Sequence, residues 1–186
     1  MKLPPSRKHR LSSALASLFA ALVLFLFAGS ALAQLPVIRF VRDPDPAPGF
    51  RLKEFSGNEL TLEASRGKVI FLNFWATWCG PCQRPMAELQ KLKQRHPDWG
   101  DRVAIVPLSI DDTLEAVRQH VNQRGWTNTF NVWAGDGGWR SAPARAFHVS
   151  GVPTTYIIDA QGKIVVAGHP AAMNIDNQVD AALKKE

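Results

Sequence analysis

Hydrophobic residues in this chain fall into short, nearly continuous runs and into longer segments with helical spacing. The run Lys68–Trp75 (KVIFLNFW) is almost entirely apolar, which is typical of a central strand covered on both faces. Val103–Ile110 is a second strand of this buried type. Phe50–Phe55 and Glu59–Leu62 alternate in polarity around Ser56-Gly57-Asn58, so they predict a hairpin.

Helices are predicted between these strands. Apolar residues recur at helical spacing over residues 81–96, and a proline directly afterwards ends the pattern. A second helix is predicted to run to about Arg124, with Asp111 or Asp112 as its N-cap and a glycine as its stop. A shorter helix is expected over Ala142–Phe147.

The other predicted elements are an edge strand at Val37–Val41, a strand at Phe130–Trp133, a hairpin of Thr154–Ile158 and Lys163–Ala167, and a helix from about Asn174 to Lys185. Strands that alternate with helices in this way predict an α/β fold with a mixed central sheet. The glycines of 135–138 lack a phosphate-loop pattern and predict a plain turn. Near that turn, Trp126, Trp133 and Trp139 are expected to pack in the core and not to form a partner-facing surface.

The first 33 residues have the three-part composition of an export signal. Residues 1–10 are positively charged, residues 11–30 are apolar, and Ala31-Leu32-Ala33 supplies small residues before a cleavage site at Gln34. The alternative is an uncleaved anchor, because residues 11–28 approach the length that spans a bilayer. The expected location is the periplasm after export by the signal peptide, and the alternative is an inner-membrane anchor with the domain facing the periplasm.

The length of 186 residues suits one domain, and 46% hydrophobic with 20% charged residues excludes wholesale disorder. The net charge of +6 is concentrated at the start, since residues 1–33 hold four basic residues and no acidic one. The remainder is close to neutral, so no nucleic-acid partner is expected. We therefore divide the chain into a signal peptide (1–33), an extended, proline-containing lead-in (34–47) and a folded domain (48–186).

Both cysteines of the chain lie in Trp78-Cys79-Gly80-Pro81-Cys82, shortly after the apolar strand. At a helix start, free backbone N–H groups and the helix dipole stabilise a thiolate, which lowers the pKa of the thiol. Cys79 is therefore expected to attack first. Cys82 lies one turn further along, within bonding reach and shielded, and is expected to act second. Gly80 lets another chain approach closely, and Pro81 fits the first turn of a helix.

Three other uses of this cysteine pair compete with redox chemistry. A structural disulfide would close too small a loop to restrict the unfolded chain. A zinc site would need two more ligands, and the histidines are scattered singly along the sequence. Copper(I) bound by two thiolates is chemically reasonable, because soft sulfur suits that ion. The motif, its strand–helix placement and the export signal together favour redox exchange.

The segment NFWATWCGPC after an apolar strand, followed by Val152-Pro153-Thr154 before another strand, resembles the thioredoxin superfamily. The longer block RGKVIFLNFWATWCGPC, the export signal and the distance from Cys82 to Pro153 resemble the TlpA-like exported thiol:disulfide oxidoreductases, which include reductases of cytochrome c and copper-centre maturation. The resemblance covers about residues 48–184. It implies a thioredoxin fold, a mixed central sheet flanked by helices, with an N-terminal hairpin and a central helix–strand insertion within about 112–133.

The resemblance also implies roles for individual residues. Cys79 would be the attacking thiol and Cys82 the resolving one. Pro153 would be a cis-proline that faces the dithiol and exposes the backbone of Val152 to an extended substrate peptide. Trp78 would shape the substrate surface. No cofactor is implied beyond the redox-active Cys79–Cys82 disulfide, and no metal.

Departures from the family pattern concern the proton acceptor for Cys82. Thioredoxins have a buried aspartate at the position of Asn73, and an amide cannot relay a proton. Many TlpA-like proteins have a glutamate where this chain has Pro85. The superfamily's helix-kinking proline normally lies where this chain has Ala87. The sequence therefore identifies no acceptor for that proton, and Glu88, a turn further along, is expected to be solvated.

The sequence thus predicts an exported oxidoreductase that reduces disulfides in extracytoplasmic client proteins. A membrane electron donor of the thioredoxin-reductant type would re-reduce it, and we expect it to act as a monomer. The alternatives are net oxidation of client dithiols and, from another class of protein, a copper(I)-handling chaperone that uses the same dithiol. A peroxiredoxin-like peroxidase is a weaker rival, since that chemistry lacks the paired CGPC site.

Overall fold

A computed structural model describes residues 39–40 and 44–185 of the chain. Its strands are β1 (Arg39–Phe40), β2 (Arg51–Lys53), β3 (Glu59–Thr61), β4 (Val69–Trp75), β5 (Val103–Ser109), β6 (Val132–Trp133), β7 (Thr154–Ile158) and β8 (Ile164–Gly168). Six of them form one mixed sheet in the order β1-β8-β7-β4-β5-β6, and β2 pairs with β3 in a separate hairpin. The predicted mixed sheet and N-terminal hairpin are both confirmed.

The central strand of the larger sheet is β4, which pairs in parallel with β5 and antiparallel with β7. All seven of its residues are buried, as the continuous apolar run predicts. Because side chains alternate across a strand, Asn73 and Trp75 share one face and Phe74 lies on the other. The ring of Phe74 packs against Phe147 with centroids 5.7 Å apart, whereas Asn73 contacts Met86. The cysteine-containing segment leaves the sheet at the carboxyl end of this strand.

The α-helices of the described part are α1 (Gln83–Arg95), α2 (Leu114–Arg124), α3 (Ala142–Ala146) and α4 (Ile175–Leu183). The helix–strand insertion expected within residues 112–133 consists of α2 and β6. β6 continues the sheet in parallel with β5, where Leu108 pairs with Val132. This insertion brings residues after β6 to the same end of the sheet as the cysteines, because both follow the carboxyl ends of parallel strands.

The N-cap of α2 differs from the prediction. Thr113 occupies the cap position, and its side chain accepts a hydrogen bond from the backbone N–H of Ala116. Neither Asp111 nor Asp112 caps the helix, so that prediction is wrong: Asp111 is buried and its carboxylate is bonded to Thr77, in a distant part of the sequence. The predicted stop is correct, because α2 ends at a glycine in the left-handed conformation, with φ 65°.

A cluster of polar and aromatic contacts joins the carboxyl end of α1 to α4. The buried Trp99 donates from Nε1 to Asp180 at 2.8 Å and stacks on His96, with ring centroids 4.1 Å apart. Nε2 of His96 lies 2.8 Å from Oδ1 of Asp176, and Arg95 donates to the same oxygen at 3.1 Å. These contacts hold α1, the helix that follows the cysteines, against the last helix of the fold.

We expect Asp176→Asn to lower the stability of the fold more at neutral than at acidic pH. Burial alone would raise the pKa of Asp176, but hydrogen bonds from Arg95 and His96, with their charges, hold it below the ordinary value. A lowered carboxyl pKa contributes stability above the unfolded pKa, and this contribution is lost as the pH falls through the folded pKa. Because Asp176 is partly exposed, the loss near neutral pH should stay below about 1 kcal/mol. Urea unfolding at neutral and at acidic pH measures it, and a deficit that grows on acidification would contradict the assignment.

The edge of the sheet beside β8 is occupied by the start of the described chain. β1 pairs antiparallel with β8, which confirms an edge strand within the predicted Val37–Val41. Further along, Ala47 donates its backbone N–H to the carbonyl of Gly162 at 2.9 Å. The predicted signal peptide over residues 1–33 lies outside the described residues. Within residues 39–40 and 44–185, no helix combines the length and the apolar character needed to cross a membrane.

Candidate active site

A disulfide bond joins Cys79 and Cys82 at the carboxyl end of β4, with an S–S distance of 2.00 Å. Cys79 precedes a single 3₁₀ turn, Gly80–Cys82, which continues directly into α1. Pro81 lies in that first turn, where a missing N–H costs no hydrogen bond. Cys79 is 5% exposed and Cys82 is completely buried. The edge of the bond that reaches the surface therefore belongs to Cys79.

The segment before β7 lies against this bond, although it is distant in sequence. The Val152–Pro153 peptide bond is cis, as the resemblance implied. The carbonyl oxygen of Val152 lies 3.6 Å from Sγ of Cys79. A disulfide sulfur carries no proton, so in the oxidised protein this is a contact, and the carbonyl is free to accept a hydrogen bond from another group. Thr154 fixes the turn by donating its hydroxyl to the carbonyl of Gly151 at 2.6 Å.

The buried carboxylate of Asp111 anchors the loop before Cys79, although the sequence pattern predicts a helix cap there. Asp111 is 3% exposed and follows the carboxyl end of β5. Its carboxylate accepts hydrogen bonds from the backbone N–H of Thr77 at 2.9 Å, from the hydroxyl of Thr77 at 2.6 Å and from the hydroxyl of Ser109 at 2.6 Å. Thr77 is thus held at both its backbone and its side chain, two residues before the accessible cysteine.

Gln83 fixes the same loop from the other side. Its Nε2 donates to the carbonyl oxygens of Cys79 at 3.1 Å and Thr77 at 3.3 Å. Its Oε1 lies 2.9 Å from Nε2 of His120, and since an amide oxygen only accepts, that ring nitrogen carries the hydrogen. Burial and the charge of Arg124 lower the pKa of His120, which Asp111 opposes. A neutral histidine on α2 therefore orients the glutamine that closes the loop.

At the position where the resemblance to thioredoxins implies an aspartate, this chain has an amide whose two ends both have partners. Asn73 is completely buried, and its Oδ1 accepts a hydrogen bond from the hydroxyl of Thr155 at 2.9 Å. Its Nδ2 lies 3.7 Å from the sulfur of Met86 on α1. Both ends of the amide are engaged with neighbouring elements, so Asn73 connects β4 to β7 and α1 and supplies no base.

Glu88 is solvated, as expected. It is on the surface of α1 and pairs with Lys91 and Arg95, each at 3.2 Å. The hydrogen bond and charge of Lys91, followed by those of Arg95, lower the pKa of Glu88. Glu88 is therefore engaged in surface ion pairs on α1.

The tryptophans near the site separate into buried and exposed ones. Trp126 is 5% exposed and packs edge-on against the buried Trp75, with ring centroids 5.8 Å apart, and Trp133 is half-buried. Trp139 does not pack in the core as expected, because it is 41% exposed. Its ring lies instead against that of Trp78, which is 59% exposed and directly precedes Cys79. The exposure of Trp139 has one signal in the sequence, because the glycine-rich turn before it carries no apolar periodicity.

Metal-binding capacity at the site rests on the cysteine pair alone. Among the residues that the structure describes, no three histidine, cysteine or acidic side chains are grouped as ligands for one ion. The two sulfurs are bonded to each other in this structure and would bind a soft ion only after reduction. The arrangement therefore supports disulfide exchange directly and metal binding only in its reduced form.

Comparison with known proteins agrees with this geometry. The AhpC/TSA family profile matches residues 44–167. The chain is 37% identical over 119 residues to the thiol-disulfide oxidoreductase ResA of Bacillus thuringiensis strain Al Hakam. This alignment covers 64% of this chain and 65% of that protein. It is 30% identical over 153 residues to ResA of Bacillus thuringiensis subsp. konkukian, in an alignment that covers 80% of this chain and 84% of that protein.

Solved structures give the same result. A thiol:disulfide interchange protein of the thioredoxin family from Chlorobium tepidum matches with a TM-score of 0.59 and 25% identity, over 77% of this chain and 99% of that one. The family match spans the disulfide and the Val152–Pro153 turn. The chain therefore belongs to the AhpC/TSA family, and it is a thiol:disulfide oxidoreductase with the thioredoxin fold.

Proposed function

We propose that this protein is an extracytoplasmic reductase of protein disulfides that uses Cys79 and Cys82 as its dithiol. The observation that carries the proposal is the asymmetry of the pair, in which one sulfur reaches the surface beside a backbone carbonyl and the other is enclosed. The export signal predicted over residues 1–33 supports the location. Relatives named thiol-disulfide oxidoreductase support the reaction.

The reaction consists of two exchanges. In the reduced protein, the thiolate of Cys79 attacks one sulfur of a client disulfide, which forms a mixed disulfide and releases the first client thiolate. The thiolate of Cys82 then attacks the sulfur of Cys79, which forms the Cys79–Cys82 bond and releases the second client thiolate. Two electrons pass from the protein dithiol to the client. A dithiol donor in the membrane returns the protein to its reduced form by the reverse sequence.

The surroundings of the disulfide support this order of attack. Cys79 is at the amino end of a helical segment, where the positive end of the helix dipole favours a thiolate. The carbonyl of Val152, 3.6 Å from the same sulfur, is placed to accept a hydrogen bond from the backbone of an extended client segment. Cys82, enclosed under the first turn of α1, is placed to resolve the complex once the client is bound.

Disulfide reduction by the purified protein tests the proposal. The reduced protein should reduce an equivalent amount of a disulfide-containing protein such as insulin, and should do so repeatedly when a dithiol donor is supplied. Net oxidation of a reduced client in a glutathione buffer would reverse the proposed direction. A protein that shows no exchange but binds one copper(I) ion tightly through both sulfurs would be a copper carrier.

The location is tested separately, by the mass of the exported protein. Cleavage after Ala33 should give a mature chain that begins at Gln34 and is found in the periplasmic fraction. A protein that retains residues 1–33 and sediments with membranes would favour the anchored alternative.

We expect Asn73→Asp to accelerate the second exchange near neutral pH. With an amide at this position, deprotonation of Cys82 should rely on water or hydroxide, so its rate should keep rising through neutral pH. A carboxylate there would act as a general base, with an expected gain of at least about tenfold. It would also lower stability, on the order of 1–3 kcal/mol, because a charged group replaces a buried, hydrogen-bonded amide. Rapid-mixing measurements of mixed-disulfide decay across the pH range provide the rates.

Thr155→Val is the matched control for that variant. It removes the hydroxyl that donates to Asn73 without adding a base, so it should lower stability and leave the shape of the pH–rate profile unchanged. If the unmodified protein already shows a rate plateau set by a group that titrates near neutrality, another base serves Cys82 and the expectation for Asn73 is wrong.

A further inference from the structure

Two large hydrophobic side chains stand out on the surface of residues 44–185, and they lie against each other. Trp78 is 59% and Trp139 is 41% exposed. Their ring centroids are 6.1 Å apart, and the ring planes meet at 49°. We call them the tryptophan pair. Exposed aromatic surface of this kind is uncommon away from binding sites, and tryptophan is enriched among the residues that contribute most to protein–protein affinity.

The two loops that carry the tryptophan pair are both hydrogen-bonded to Asp111, which follows the end of β5. On one side, the carboxylate of Asp111 accepts two hydrogen bonds from Thr77, the neighbour of Trp78. On the other side, the carbonyl of Asp111 accepts a hydrogen bond from Nε1 of Trp133 at 2.7 Å, at the start of the loop that carries Trp139. One buried residue therefore sets the positions of two loops that are distant in sequence.

The loop before Trp139 is fixed by a close approach that requires glycine. Gly138 has φ 51°, and a Cβ atom there would lie 3.1 Å from the carbonyl oxygen of Ile110 and 3.1 Å from Oδ1 of Asp112. The backbone N–H of Arg140 donates to the carbonyl of Gly137 at 2.7 Å, which closes the turn. The ring of Trp139 is therefore placed beside Trp78 before any partner binds, which reduces the entropy lost on binding.

We propose that the tryptophan pair is the specificity surface for clients, and that it binds an aromatic or large aliphatic side chain close to the client's reactive cysteine. The proposal rests on the function proposed above. Trp78 is the chain neighbour of Cys79, so a client joined to Cys79 by a disulfide emerges beside the rings. An extended chain advances about 3.3–3.6 Å per residue, so side chains one to three positions from the client cysteine fall within reach of the pair.

The test is an exchange equilibrium with no net oxidation or reduction. Cys79 in a Cys82→Ser background is first joined to glutathione, and a single-cysteine peptide then displaces it, forming the protein–peptide disulfide and releasing glutathione thiol. Two peptides are compared, which differ only in tryptophan or serine beside the cysteine. Mass spectrometry gives both equilibrium constants. We expect the tryptophan peptide to be favoured about threefold to tenfold, from the usual worth of an aromatic contact.

Variants of the pair separate recognition from exchange. Adding Trp139→Ala should bring the ratio of the two constants to about one, while glutathione still joins Cys79 as before, because surface substitutions rarely disturb a fold. Trp139→Phe should retain most of the preference. Arg140→Ala, the exposed neighbour on the same loop, should leave it unchanged.

Three results would overturn the proposal. The first is an unchanged peptide preference in the Trp139→Ala variant. The second is a protein that sediments as a dimer only when Trp139 is present, which would make the pair a contact between copies of this chain. The third is a failure of Cys79 to form a mixed disulfide even with glutathione, and this result alone would also overturn the proposed function.

Discussion

Replacing Cys79 by serine is expected to abolish disulfide reduction and to leave no covalent complex with any client. Cys79 is the sulfur that reaches the surface, since Cys82 is completely enclosed at the start of α1. Loss of the attacking nucleophile removes the first exchange, so the rate should fall by about three orders of magnitude or more. Insulin reduction with a dithiol donor measures the rate, and non-reducing gel electrophoresis detects the complexes.

Cys82→Ser is the matched control, because it also removes one sulfur of the same bond. This variant should lose turnover but accumulate mixed disulfides through Cys79, since the first exchange occurs and the second cannot. Equal trapping by the two variants, or faster alkylation of Cys82 than of Cys79 in the reduced protein, would reverse the assigned order.

Asp111→Ala is expected to cost about 2–4 kcal/mol of unfolding free energy, because it leaves the buried donors of Thr77 and Ser109 without an acceptor. The loop that ends at Cys79 would also lose one of the contacts that fix its backbone, and those with Gln83 would remain. We therefore expect the exchange rate at Cys79 to fall together with stability. Chemical unfolding of the oxidised protein and the rate of glutathione exchange measure the two effects.

Two further variants decide whether Asp111 acts as described. Asp112→Ala changes the exposed neighbour and should alter stability by no more than about 0.5 kcal/mol. Asp111→Asn keeps one acceptor oxygen and the shape of the side chain. Its unfolding free energy should therefore lie between those of the Asp111→Ala and Asp112→Ala variants, and its exchange rate at Cys79 should exceed that of Asp111→Ala. Equal stability of the Asp111→Ala and Asp112→Ala variants would show that the buried carboxylate does not hold the loop.

The parts of the fold that follow from local pattern could be predicted from the sequence. The continuous apolar run from residue 68 to 75 gave the central strand almost to the residue, because burial on both faces leaves little room for polar side chains. The glycine after Arg124 ends α2 in the conformation that favours glycine. The cysteine motif also carried enough local information to place a helix start at Cys79.

The parts that depend on distant contacts could not be predicted in this way. Asp111 followed by Asp112 has the composition of a helix cap, but Asp111 bonds to Thr77, 34 residues earlier in the chain. Nothing in the neighbourhood of either residue signals that contact. The contact of Trp139 with Trp78 could not be predicted either. A large aromatic residue is usually buried, and only the strand order β4-β5-β6 brings the loop of Trp139 to the side of Trp78.

The pairing of the lead-in along β8 has a consequence for solubility. A strand at a sheet edge offers unpaired N–H and C=O groups to any other extended chain. Here β1 occupies that edge, and the carbonyl of Asp45 accepts a hydrogen bond from the N–H of Ile164 at 2.9 Å. Incompletely folded chains, with their unpaired strands, are the partners most prone to such pairing. The described part of the lead-in therefore covers the edge of β8 and protects it against aggregation with other extended chains.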